Sequence, residues 1–87
     1  MIRQEYNGWT NYPTWAVHLW LTNEEPLYHQ SRELVAEGED YEAAGRLKEF
    51  VTDYDPLGST PSMFTDILGW AVEQVNWLEV ARALREA

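Results

Sequence analysis

The sequence predicts an all-α fold, a compact bundle of four or five short helices. Three observations lead there. Apolar residues recur at three- and four-residue steps along most of the chain. Asn and Pro stand where helices would begin. No stretch alternates apolar and polar residues for long enough to make a strand, and no segment repeats another at a fixed period. With 87 residues the chain has room for one domain and one core. Five Trp, five Tyr and two Phe supply the bulk of that core, because each aromatic buries roughly 150 to 250 Å².

Residues 1 to 10 show no helical period and are read as an N-terminal arm. The turn dipeptide Asn7-Gly8 precedes Trp9, which sits in an arm that either tucks into the bundle or leaves it available as an interface anchor; the arm folded back over the core is the favoured reading. Asn11 as N-cap and Pro13 in the first turn predict a helix over 12–22, apolar around most of its circumference except for the stripe Asn11, Thr14, His18 and Thr22. Asn23 is expected to cap a second helix, with Glu24, Glu25 and Pro26 in its first turn, Leu27, Tyr28, Ser31, Leu34 and Val35 inward, and Gly38 as its stop. A third helix over 40–54 has the periodic set Tyr41, Ala44, Leu47, Val51 and Tyr54. Gly45 inside it costs about 1 kcal/mol relative to Ala, so a close helix crossing is expected there.

Residues 55 to 61 form the clearest loop. A fourth helix then carries Met63, Phe64, Ile67, Leu68, Ala71, Val72 and Val75 as a broad apolar face. Asn76 with Glu79 is an Asn variant of the capping box and predicts a final helix over 77–86, with Trp77, Leu78, Ala81 and Leu84 inward; one continuous helix from Pro61 onward is the competing reading. Trp15, Trp20, Phe64 and Trp77 are assigned to the core, and Trp9 and Trp70 are the candidate aromatic anchors.

Composition narrows the function. There is no Cys, hence no disulfide framework and no thiolate metal site. No apolar run approaches the roughly 18 residues of a membrane span, and the first residues lack an apolar signal core, so a soluble, cytoplasmic protein is expected. Fifteen Asp and Glu against six Lys and Arg give a net charge of -9, which argues against direct nucleic-acid or membrane binding and for a protein partner with a basic surface. His18 and His29 stand in no paired metal-ligand spacing, no Ser lies in a Gly-x-Ser-x-Gly elbow, and phosphate-cradling glycine patterns are absent. No cofactor, metal or catalytic residue is therefore expected. His18 is read as a partly buried side chain bonded to Thr14, Thr22 or a neighbouring helix.

The densest signal is acidic: Glu33, Glu37, Glu39, Asp40 and Glu42, continued by Glu49, Asp53 and Asp55. On a helix, groups three or four residues apart lie about 5 to 6 Å from each other, not far from the spacing of phosphates along a nucleic-acid strand. These residues are either an interface for a basic partner, by nucleic-acid mimicry, or an ordinary solvated face.

The run Asn11-Tyr12-Pro13-Thr14-Trp15-Ala16-Val17-His18-Leu19-Trp20-Leu21-Thr22-Asn23-Glu24-Glu25, followed by Leu27-Tyr28, resembles a motif N-Y-x-T-W-x-V-x-L-W-hydrophobic-x-N-[DE]-x-x-hydrophobic-Y of an uncharacterised family of small proteins encoded by bacteriophages, plasmids and their hosts. Val75-Asn76-Trp77-Leu78-Glu79-Val80-Ala81 is similar to a second family segment, roughly V-[DN]-W-x-E-I-A. The resemblance implies no reaction. It implies a mobile-element origin, and with it an inhibitor of host defence enzymes such as CRISPR or restriction effectors. The expectation is thus a non-enzymatic binding protein, monomeric or weakly dimeric, with self-assembly through exposed aromatics as the alternative and a small-ligand site along Asn11, Thr14 and His18 as the third.

Overall fold

The computed structural model describes residues 5–54 and 60–86. Five helices occupy them: α1 (Tyr12–Asn23), α2 (Glu25–Leu34), α3 (Asp40–Asp53), α4 (Met63–Gln74) and α5 (Trp77–Glu86). Among the described residues there is no strand, only an isolated bridge between Tyr6 and Trp9. No helix among them is long and apolar enough to cross a membrane.

Local sequence explains most of the boundaries. Asn11 is extended (φ −163°, ψ 175°), and its side-chain oxygen accepts from the Thr14 N–H at 3.0 Å, closing the start of α1. Asn76 does the same for α5, accepting from the Glu79 N–H at 3.1 Å, so the chain breaks between Gln74 and Trp77 into two helices. Ser62, one residue past Pro61, caps α4 through the Thr65 N–H. Asn23 is different: it is the last residue of α1, and Glu24 takes the cap position of α2 without a side-chain bond. α2 ends at Leu34, four residues before Gly38. Gly38 instead turns the α2–α3 linker at φ +82°, where an added Cβ would lie 2.7 Å from the Glu42 Oε1.

The core lies chiefly between α3 and α5. Ala43, Ala44 and Leu47 on one face meet Val80, Ala81 and Leu84 on the other, with Val35, Leu21, Val75 and Trp77 around them. The small side chains at 43, 44 and 81 allow the two helices to approach closely. Gly45 takes no part in this contact. It is exposed and has open space where a Cβ would stand, so the expected crossing is made by the alanines beside it. Tyr41 and Tyr54, expected on the inner face, are 69% and 60% exposed, because the buried stripe of α3 is turned toward Ala43.

Two further core assignments do not hold. Trp20 is 62% exposed and Phe64 65% exposed, whereas Trp77 is buried and Trp15 half-buried. Both exposed rings belong to the α1–α4 side of the molecule. α4 rests mainly on α1, through half-buried Leu68, Ala71 and Val72, and contains no fully buried residue.

Candidate functional site

The first motif and the second meet in space. Thr14 is fully buried; its hydroxyl donates to Asn11 Oδ1 at 2.6 Å and accepts from the Asn76 N–H at 2.9 Å. Asn11 Nδ2 donates to the Gln74 carbonyl at 2.7 Å, and Asn76 Nδ2 to the Thr10 hydroxyl at 3.1 Å. Glu79 does not complete a reciprocal box with Asn76. Its carboxylate accepts from the Thr10 N–H at 3.0 Å, tying the arm to α5. Every polar side chain at this junction thus serves a backbone group or another member of the network. The junction holds three segments together, and its hydroxyl and amides are committed to one another.

The rest of the polar stripe is also structural. Thr22 donates to the carbonyls of His18 and Leu19. The His18 ring is stacked on Trp9, with centroids 4.5 Å apart, instead of bonding to Thr14 or Thr22. Burial lowers the His18 pKa below its ordinary value near 6.5. The arm reaches this position through a tight turn in which Asn7 (φ 48°) and Gly8 (φ 86°) are both left-handed, with Tyr6 and Trp9 exchanging backbone bonds at 2.9 and 2.8 Å. The folded-back arm is therefore what forms, and Trp9 is half-buried. Tyr6 closes the arm from the other side against Tyr12 and Trp15.

The acidic segment divides in two. Glu39 and Glu42 form a capping box at the start of α3, in which the Glu39 N–H donates to Glu42 at 2.9 Å. Asp40 receives Arg82 at 2.8 Å and is also paired with Arg85. These two guanidinium bonds, Arg82 first, hold its carboxyl below the usual carboxylate range near 3.8. Arg85 also donates to the carbonyls of Val35 and Gly38, and Arg46 to those of Leu34 and Glu37, so these two arginines clamp the α2–α3 linker while Arg82 pairs with Asp40 at the start of α3. Glu33, Glu37, Glu49 and Asp53 are exposed and turned to solvent, with Glu49 and Asp53 one helical turn apart on α3. Asp55 lies outside the described residues. The structure therefore brings Glu39, Asp40 and Glu42 to one end of α3 with cations among them, and spreads Glu33, Glu37, Glu49 and Asp53 over α2, the linker and α3.

Trp70 is 63% exposed, as an anchor would be, and it is not alone. Met63, Phe64 and Ile67 are also more than half exposed on α4. On α1, Trp20 borders a cleft of about 280 Å³ whose floor includes Leu27, Phe50, Val51 and Tyr54. These residues were not expected at a surface. One signal was present in the sequence: Met63, Ile67 and Trp70 form a second apolar stripe beside Leu68, Ala71 and Val72, more than one packing face can cover. Among the described residues, no three His, Asp or Glu side chains are grouped so that they could hold a metal ion.

The model of DUF7249, a family of unknown function, matches residues 2–87. The chain belongs to this family. No curated protein and no solved structure matches it significantly. Both motif segments lie within the matched span, and the DUF7249 chain uses them to join its arm, α1 and α5.

Proposed function

We propose that the protein is a non-catalytic binding protein that inhibits or modulates a partner with a basic, nucleic-acid-binding surface. Inhibitors of host defence enzymes, CRISPR and restriction effectors among them, are the class that fits a small acidic protein of this kind. The observation that carries the reading is the segregation of charge. Of fifteen carboxylates against six cations, the acids are spread over every helix after α1, while Arg46, Arg82 and Arg85 are engaged with linker carbonyls and Asp40, leaving exposed Arg32 and Lys48 among the acids of α2 and α3. The outward field is left negative. Glu33, Glu37, Glu49 and Asp53 are the carboxylates free of capping duty, and Glu49 with Asp53 has a spacing that a phosphate-reading surface would accept.

The test is affinity capture from the host cell with the wild-type chain and with the variant Glu33→Lys, Glu37→Lys, Glu49→Lys, Asp53→Lys. The expected partner binds nucleic acid, is displaced by it, and loses about tenfold or more in affinity when salt is raised from low to physiological strength. The variant should fail to retain it. A partner held equally by both chains overturns the reading. Glu39, Asp40 and Glu42 are left intact, since changing them disturbs the α3 cap and the arginine clamp.

The alternative, self-assembly through exposed aromatics, draws on Trp70 alone of the two expected anchors, because Trp9 is engaged with His18.

A further inference from the structure

Among the described residues, α4 and the neighbouring part of α1 carry an apolar surface that no other element covers. Met63, Phe64, Ile67, Trp70 and Trp20 are 66%, 65%, 57%, 63% and 62% exposed. The N-terminal end of α1 meets the C-terminal end of α4: Asn11 bonds to Gln74, and Trp70 shares a groove with Pro13. Trp20, seven residues and about two helical turns past Pro13, lies on the same side of α1 as that groove. Together these five side chains leave roughly 600 Å² in water. That reaches the upper end for the largest patch on a typical monomer, about 300 to 600 Å², and approaches the roughly 800 Å² per partner of a standard protein interface.

The border of this surface is mostly acidic, with exposed Lys48, one helical turn before Val51 of the cleft, as the exception. Asp66 and Glu73 each lie within one helical turn of Trp70. Glu24 and Glu25 follow Trp20 at the α1–α2 junction, and Asp53 precedes Tyr54 at the cleft. No Lys or Arg occurs between positions 3 and 32 or between 48 and 82. Arg82, Arg85 and Arg46 are gathered at the opposite end of α3, about 20 Å away along the helix. A second copy would set carboxylates against carboxylates around the patch. An apolar stripe bordered by cations would bury the same surface and pair its rim, with Trp70 offering its face to a cation as well.

We propose that this face docks an amphipathic helix of a protein partner, one whose apolar stripe is flanked by Lys or Arg. The proposal rests on the basic-partner reading above and adds an apolar anchor to it. The partner helix lies along α4, with large apolar side chains against Phe64, Ile67 and Trp20 and its basic residues at Asp66, Glu73 and Asp53.

The probe is a labelled Leu/Lys peptide of about four helical turns, compared by fluorescence anisotropy with a permuted peptide of equal composition and no helical period. The amphipathic peptide should bind about tenfold tighter or better. The variant Phe64→Glu, Ile67→Glu should remove that advantage, while Glu33→Gln, Glu37→Gln, Glu49→Gln preserves it. Retention of helicity is checked by circular dichroism. Should the double variant unfold, Trp70→Gln and Trp20→Gln, at exposed positions, take its place. Equal binding of the two peptides, or an advantage untouched by the α4 changes, overturns the proposal. So does a dimer in light scattering that Ile67→Glu dissociates, which would give the face to a second copy. If peptide discrimination fails while the cellular partner is still lost on reversing the four carboxylates, only the docking face is wrong. If the peptide docks as expected and the captured partner ignores charge reversal, only the functional reading is wrong.

Discussion

Replacing Thr14 by Val keeps the side-chain volume and removes one hydroxyl, at a position with no exposure at all. That hydroxyl donates to Asn11 Oδ1 at 2.6 Å and accepts from the Asn76 N–H at 2.9 Å. The first bond is one of two that Asn11 Oδ1 receives, so its loss amounts to an ordinary net contribution of about 1 kcal/mol. The second loss is worse, because the Asn76 N–H stands outside the hydrogen-bond ladder of α5 and is left without an acceptor, for about 1 to 3 kcal/mol. The expected destabilisation is therefore about 2 to 4 kcal/mol. Thr14→Ser retains the hydroxyl and loses a methyl, at a cost of about 1 kcal/mol. Urea unfolding followed by circular dichroism, at unchanged slope, measures both. A Val variant within about 0.5 kcal/mol of wild type, or a Ser variant as damaged as the Val variant, refutes the reasoning, for then the hydroxyl does not hold α1 to the start of α5.

Gly45→Ala and Ser31→Ala should each stabilise the chain by about 0.5 to 1 kcal/mol in the same assay. The first adds a Cβ into open space in mid-helix, and the second removes a buried hydroxyl that has no partner. The two sites are on different helices and their effects should add. Acidification should act in two windows. His18 has a folded pKa below 6.5, so the unfolded chain takes the proton first and stability falls as pH drops through 6.5 toward the folded value; His18→Gln flattens that part of the profile. Asp40 has a folded pKa below 3.8, so its contribution is present above 3.8 and is lost as pH falls through the folded value, and Asp40→Asn should remove it.

What could be read from the sequence was local. Asn11 and Asn76 announce helix starts because a cap bonds within three residues of itself, and both work as expected. The apolar stripe of α5 and the turn at Asn7-Gly8 are local in the same sense. Asn23 failed as a cap because the backbone stays helical through it, leaving Glu24 to break the chain. Long-range pairings were out of reach. Nothing in residues 10 to 14 says that they bond to residues 74 to 79, although a buried-looking Thr in an otherwise apolar helix asks for a partner. Trp20 and Phe64 were misplaced because periodicity reports that a face is apolar and cannot report whether another helix lies over it. The acidic segment was read as one surface, yet the arginines that divide it come from positions 46, 82 and 85 and meet it only in the folded chain.

That division bears on where recognition takes place. A signature whose polar members bond to one another specifies a junction, and the two motif segments do this through Asn11, Thr14, Asn76 and, by way of the arm, Glu79. That network constrains how the arm, α1 and α5 are joined, and leaves the outer face of α4 free. α4 lies between the two motif segments, contributes no fully buried residue and holds four of the exposed apolar side chains. A helix so little used by the fold is free to be shaped by a partner, whereas changing the junction would first cost the protein its structure. On the docking proposed above, binding should follow residues 62 to 74 and the carboxylates beside them. Exchanging the exposed positions of that segment between two members should transfer binding without altering the unfolding midpoint by more than the change in helix propensity.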